Sequence, residues 1–158
     1  MKNVSIVTST LFSHDGKDIV LGGLERYTRD LALLCKNMGY NVTIHQFGNH
    51  YWEQQYEELH VKAYPYKENP EACIEQVMKK DLNKAEYIIY MWIGYQRNYR
   101  PNSISINHGV WFDMPGSNGS WGLNVAKSHI IPALQQLAVL VTVDLNFLNY
   151  CRTVIPNE

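Results

Sequence analysis

The sequence predicts an α/β fold, a parallel sheet wound with helices on both sides, and three observations carry that expectation. Short strand-like runs alternate along the chain with segments of helical period. The run 87–93 is apolar on both faces, as expected of a central strand covered by helices from each side. Two glycines, Gly22 and Gly23, stand directly before the first helical pattern, where a strand-to-helix turn needs little bulk.

Val4, Ile6 and Val7 form the first strand pattern, which ends at 8–10 and leads into a polar loop with His14, Asp15 and Gly16. Leu24, Tyr27, Leu31, Leu34, Cys35 and Met38 then recur at three- and four-residue steps, with Glu25, Arg26, Arg29, Asp30 and Lys36 filling the other face. The spacing predicts an amphipathic helix over 23–38 that buries the apolar stripe and stops at Gly39. Val42, Ile44 and Phe47 give a second strand. Leu59, Val61 and Ala63, alternating with His60 and Lys62, give a third, expected at a sheet edge.

Asn69-Pro70-Glu71 is a helix start: a capping amide, a proline in the first turn, and a carboxylate matched to the dipole. Cys73, Ile74, Val77, Met78 and Leu82 supply its buried stripe. Strands follow at 87–93, 103–107 and 139–143, for about six in all. Only about nine residues join Ile93 to Ser103, where a parallel crossover needs about a dozen or more, so at most a short helical turn fits there. Leu123, Ala126, Ile130, Leu134 and Leu137 set a helical period that Pro132 should kink or split. Right-handed crossovers through such an order give a Rossmann-like, doubly wound parallel sheet.

With 158 residues, 46% of them hydrophobic and 18% charged, the chain suits one globular domain, placed at 1–153 with a linker beginning at 154–158. Fourteen basic and fifteen acidic residues leave a net charge of -1, which gives no electrostatic footprint for nucleic acid. Cys35, Cys73 and Cys151 are far apart and show no metal-ligand spacing, so a reducing, cytoplasmic setting is expected. The longest apolar stretch, 87–93, is too short to span a membrane, although peripheral membrane contact stays open to the chain.

Open α/β sheets bind ligands at the carboxyl ends of their strands, and the informative motifs fall there. Gly22-Gly23 places bare backbone at a helix N-terminus, where free amides can meet a phosphate. An ordinary glycine turn accounts for it equally well, and neither Gly-x-Gly-x-x-Gly nor the P-loop lysine is present. His108, Trp111 and Asp113 leave the 103–107 strand together. An indole stacks on the C–H face of a sugar while an imidazole and a carboxylate bind its hydroxyls, so they form a candidate carbohydrate-facing group. A hydrogen-bonded structural histidine and a core tryptophan compete with that reading. Trp92, Tyr95 and Tyr99 suit packing better than recognition. No Asp-x-Asp pair stands ready for a divalent cation, and strand alternation explains His45 and His60, so no metal or cofactor is expected.

GGLERYTRDLALLCKNMGYNVTIHQFG resembles the first helix and second strand of the family 4 retaining glycosyltransferases, and SISINHGVWFD resembles their strand and loop bearing an active-site histidine. LVTVDLNFLNYCRTVIPNE is similar to the end of their N-terminal domain, and Tyr40 stands where many members have histidine. The resemblance implies one half of a two-domain GT-B fold, the acceptor-side half, with the donor-binding C-terminal domain absent and the isolated fragment inactive. By the same resemblance Gly22 and Gly23 close on the donor diphosphate, and His108 hydrogen-bonds the transferred sugar. Asp113 and Asp144 become possible charge-stabilising helpers, and Trp111 and Tyr95 contacts to sugar or acceptor. A nucleotide-sugar donor and a carbohydrate or lipid-linked acceptor are the implied partners. The alternatives are a GT-B sugar-nucleotide epimerase half and a non-catalytic sugar-binding α/β domain.

Overall fold

The computed structural model describes residues 1–67, 69–108 and 126–154. The chain divides into two compact units, 1–91 and 92–158. Both are α/β. Among the described residues no helix is long and apolar enough to cross a membrane.

The first unit runs β1 (Asn3–Thr8), α1 (Gly23–Asn37), β2 (Asn41–Gly48), β3 (Trp52–Tyr56), β4 (Leu59–Pro65) and then a broken helix before β5 (Tyr87–Tyr90). Its strand order is β3-β4-β2-β1-β5. All these pairings are parallel except that of β3, which lies antiparallel to β4. The step from β1 to β2 moves one way along the sheet and the step from β4 to β5 moves the other. Right-handed crossovers therefore put α1 and the second helix on opposite faces, and the strand order reverses between β1 and β5.

The edge expected at 59–63 belongs instead to β3, and β4 is an interior strand with Leu59, Val61 and Ala63 almost wholly buried. β3 reads WEQQY, with no apolar alternation strong enough to announce a strand; what makes it one is its ladder with β4. At the other side of this unit Ile88, Ile89 and Tyr90 are buried, and the strand stops at Tyr90.

α1 starts and stops where the sequence places it, and Gly39, with φ +87°, takes the left-handed turn that ends the helix. The face it buries differs from the expected stripe. Glu25, Thr28 and Ala32 are buried, whereas Tyr27, Leu34 and Met38 are exposed. Thr28 and Ala32 are small, so the helix backbone approaches the sheet closely, and the Thr28 hydroxyl donates to the Leu24 carbonyl at 2.7 Å.

The second helical segment begins as expected, with the Asn69 side chain accepting from the Ala72 amide at 3.2 Å. It runs as α2 (Pro70–Ala72), a π-helical stretch (Cys73–Met78) and α3 (Lys79–Leu82). Cys73, Ile74, Met78 and Leu82 are buried, while Val77 is exposed. Cys35 and Cys73 are free thiols, and burial pushes the Cys73 thiol up to about 11.

The second unit holds a 3-10 turn (Ile93–Tyr95), which is the short helical turn expected before β6, then β6 (Ser103–Asn107), a π-helical stretch (Ala126–Ile130), α4 (Ile131–Gln136), β7 (Val139–Thr142) and α5 (Leu145–Val154). β6 and β7 pair in parallel, Ile104 opposite Val139 and Asn107 opposite Thr142. The change from π to α geometry falls between Ile130 and Ile131, just before Pro132, which lacks the amide a continuous helix requires.

Candidate functional site

In the first unit the carboxyl end of β1, beside the point where strand order reverses, feeds the loop 9–22 and the start of α1. This loop is tied down by one buried side chain. Gln46 on β2 accepts from the amides of Leu11 and Phe12 at 3.0 and 2.9 Å, and its own amide donates to the Phe12 carbonyl at 3.1 Å. The glutamine thus pairs with the loop as a strand would. Beyond it, the Val20 amide returns to the Leu11 carbonyl at 3.0 Å, and the Ser13 hydroxyl donates to Asp15 at 2.7 Å. That hydrogen bond, with those from Lys17, holds the Asp15 carboxyl down at about 2.

Replacing Gln46 by leucine is expected to leave two buried amides without an acceptor, at about 1–3 kcal/mol each. For a chain of this size the melting temperature should fall by roughly 5–15 °C. Circular-dichroism melting of Gln46→Leu checks this, and a fall of less than about 2 °C would show that the clamp is dispensable.

The loop ends at Gly22, the N-cap of α1. Glu25, in the first turn, folds back so that its carboxylate oxygen occupies the space a Cβ on Gly22 would need. The Thr10 hydroxyl donates to the other oxygen at 2.6 Å, and the side chain is 8% exposed. A carboxylate therefore already lies against the positive end of the helix dipole at Gly22. Gly23 is different, with no other atom within 4 Å of where a Cβ would stand, so its backbone can be approached from outside. Arg26, one turn on, is exposed and makes no ion pair among the described residues, whereas Arg29 is held by Glu57 at 2.8 Å. A cavity of about 160 Å³ next to this turn is lined mostly by apolar residues, among them Leu11, Ile19 and Leu21, with Glu25 and Asp30 balancing Arg26 and Arg29. Glu25 is the acidic position of the Gly-Gly-x-Glu helix start in the family resemblance, but Arg26 carries no signal in the sequence, because a charged residue in an amphipathic helix reads first as solvated surface.

In the second unit His108 follows β6 at the carboxyl end of the β6–β7 pair, where the Val143 amide donates to the Asn107 carbonyl at 3.3 Å. It is half-buried, and desolvation lowers the pKa of its imidazole, which favours the neutral ring. Asp144 acts as a helix cap: its carboxylate accepts from the Asn146 amide at 2.7 Å at the start of α5. Tyr95 is 5% exposed and packs edge-on against Trp92, ring centroids 5.4 Å apart, leaving little of its ring for a ligand. Tyr99 is buried and donates to the Ile93 carbonyl at 2.5 Å. Trp111 and Asp113 lie outside the described residues.

No family model, curated protein or solved structure matches the chain. The chemistry therefore rests on the residues. Among those described, no three His, Cys, Asp or Glu side chains gather to hold a metal. What the first unit does offer is an approachable backbone at Gly23 and an exposed cation at Arg26, beside a mainly apolar cavity whose own charges balance.

Proposed function

We propose that this chain is the acceptor-side domain of a retaining glycosyltransferase of the GT-B type, one that transfers a sugar from a nucleotide-sugar donor to a carbohydrate or lipid-linked acceptor. The observation that carries the reading is the start of α1: Gly22 and Gly23 follow the loop from β1 beside the reversal of strand order, and the space over Gly23 is open. In this reading the donor diphosphate approaches the Gly23 amide with Arg26 as its counter-charge, and Glu25 at Gly22 limits how deep it sits. His108, neutral and at a strand end, would hydrogen-bond the transferred sugar, its unprotonated ring nitrogen accepting from a sugar hydroxyl as the anomeric carbon gains positive charge. A second α/β domain supplies the remaining donor contacts, and no metal takes part.

Because those contacts lie elsewhere, the chain alone should bind uridine, guanosine or adenosine diphosphate sugars with dissociation constants well above about 1 μM. Amide NMR should still show perturbation at Gly22, Gly23 and Arg26 with one of them. Gly23→Ala meets no obstruction within the chain, so it should keep the melting temperature while weakening that perturbation. Unmoved amides at Gly22 and Gly23 under all three donors would rule out the phosphate role.

A further inference from the structure

At the amino ends of β1, β2 and β4, the opposite ends from Gly23, one face of the sheet is polar where a helix-covered face is ordinarily apolar. Asn3 and Ser5, Asn41, Thr43 and His45, and Lys62 share it, strand beside strand. They surround a cavity of about 180 Å³ that Asp81, at the end of α3, and Lys84 complete.

The wall is held by a directional chain of hydrogen bonds. The Tyr64 hydroxyl donates to Asp81 Oδ2 at 2.7 Å. Its oxygen is then the acceptor for His45 Nδ1–H at 3.0 Å, which leaves His45 Nε2 to accept from the Ser5 hydroxyl at 3.0 Å. The order Ser5, His45, Tyr64, Asp81 resembles a nucleophile relay, but burial pushes the His45 imidazole down to about 3, far too weak a base to activate a serine. The chain's effect falls on Asp81 instead. Burial works to raise its carboxyl, but hydrogen bonds from Lys84 and Tyr64 and the charges of both lysines hold it well below the usual range.

Thus fixed and ionised, Asp81 positions Lys84 at 2.7 Å and Lys62 at 3.5 Å. Glu53, just outside the lining, also lies 3.4 Å from Lys62, so the two ammonium groups face two carboxylates and the cavity offers an oxyanion their N–H donors rather than a net charge. The Thr43 hydroxyl, on the same wall, has no hydrogen bond among the described residues. We propose that this cavity binds a small oxyanion, a phosphate or carboxylate group, through Lys62, Lys84 and Thr43. The site is independent of the reading given to Gly23.

Amide NMR titration of the chain with inorganic phosphate, sodium acetate and sodium chloride at equal ionic strength tests it. Saturable shifts at Ser5, Thr43 and Lys84 are expected with phosphate or acetate and not with chloride; which of the two saturates identifies the ligand class. Lys84→Gln changes a side chain that is 64% exposed, and Thr43→Val keeps the shape of the residue it replaces, so both should fold. Each should weaken binding about tenfold or more, while Lys17→Gln, outside the lining, leaves it unchanged. Equal shifts with all three salts, or wild-type affinity in both Lys84→Gln and Thr43→Val, would overturn the proposal.

Discussion

Acidification from pH 6.5 towards pH 3 is expected to remove on the order of 4 kcal/mol of folding stability through His45 alone. Its ring is 2% exposed. Desolvation is the main cause of its depressed value; the Asp81 charge opposes it, and Lys62, His60 and Lys84 add to it. The unfolded chain takes up a proton near 6.5, whereas the folded one does so only near 3. Between those values the unfolded state binds more protons, so the contribution is complete above about pH 6.5 and disappears as the pH falls through 3, at up to about 1.4 kcal/mol per unit. His108, also depressed by desolvation, adds to the loss from the same upper limit. Asp81 and Asp15 have lowered carboxyls, so their contributions persist above about 3.8 and fail only below it.

Urea midpoints of the wild type and His45→Gln at pH 7, 6, 5 and 4.5 separate these effects. The glutamine can still hydrogen-bond towards Ser5 and Tyr64 but does not titrate. The variant should be weaker at pH 7 and clearly flatter below it, keeping only a residual slope. A slope as steep as that of the wild type would mean that His45 is already protonated in the fold.

His108→Ala, in the complete two-domain enzyme proposed above, is expected to lower turnover roughly a hundred- to a thousand-fold, or about 2.7–4 kcal/mol of barrier. The half-buried ring, kept neutral by desolvation, keeps an unprotonated nitrogen that accepts from a sugar hydroxyl without reorganisation as positive charge develops at the anomeric carbon. A purely structural histidine makes the opposite forecast, a lower melting temperature with normal turnover in the folded fraction. Both quantities are measured on one purified variant, and unchanged turnover would retire His108 from the chemistry.

The elements with local signals were legible in the sequence by itself. The alternation at 3–8 and 41–48, the Gly39 stop, the Asn69 cap, the short turn after 93 and the break at Pro132 each depend on residues within a turn or two of one another. So did the positions of Gly22, Gly23 and His108 at strand-end junctions, because strand, loop and helix follow in chain order.

Tertiary structure decided what depends on partners distant in the chain. β3 exists through its ladder with β4, which moved the edge away from 59–63. The buried face of α1 was set by how closely Thr28 and Ala32 let it approach the sheet, against the larger apolar stripe of Tyr27, Leu34 and Met38. Glu25 found Thr10, Gln46 found the Leu11 and Phe12 amides, and His45 found Ser5 and Tyr64. Hydrophobic periodicity records which residues avoid water, but a buried polar group is stable only when its hydrogen-bond partner arrives. That arrival is a property of the folded chain, which is why these polar contacts had to wait for the structure.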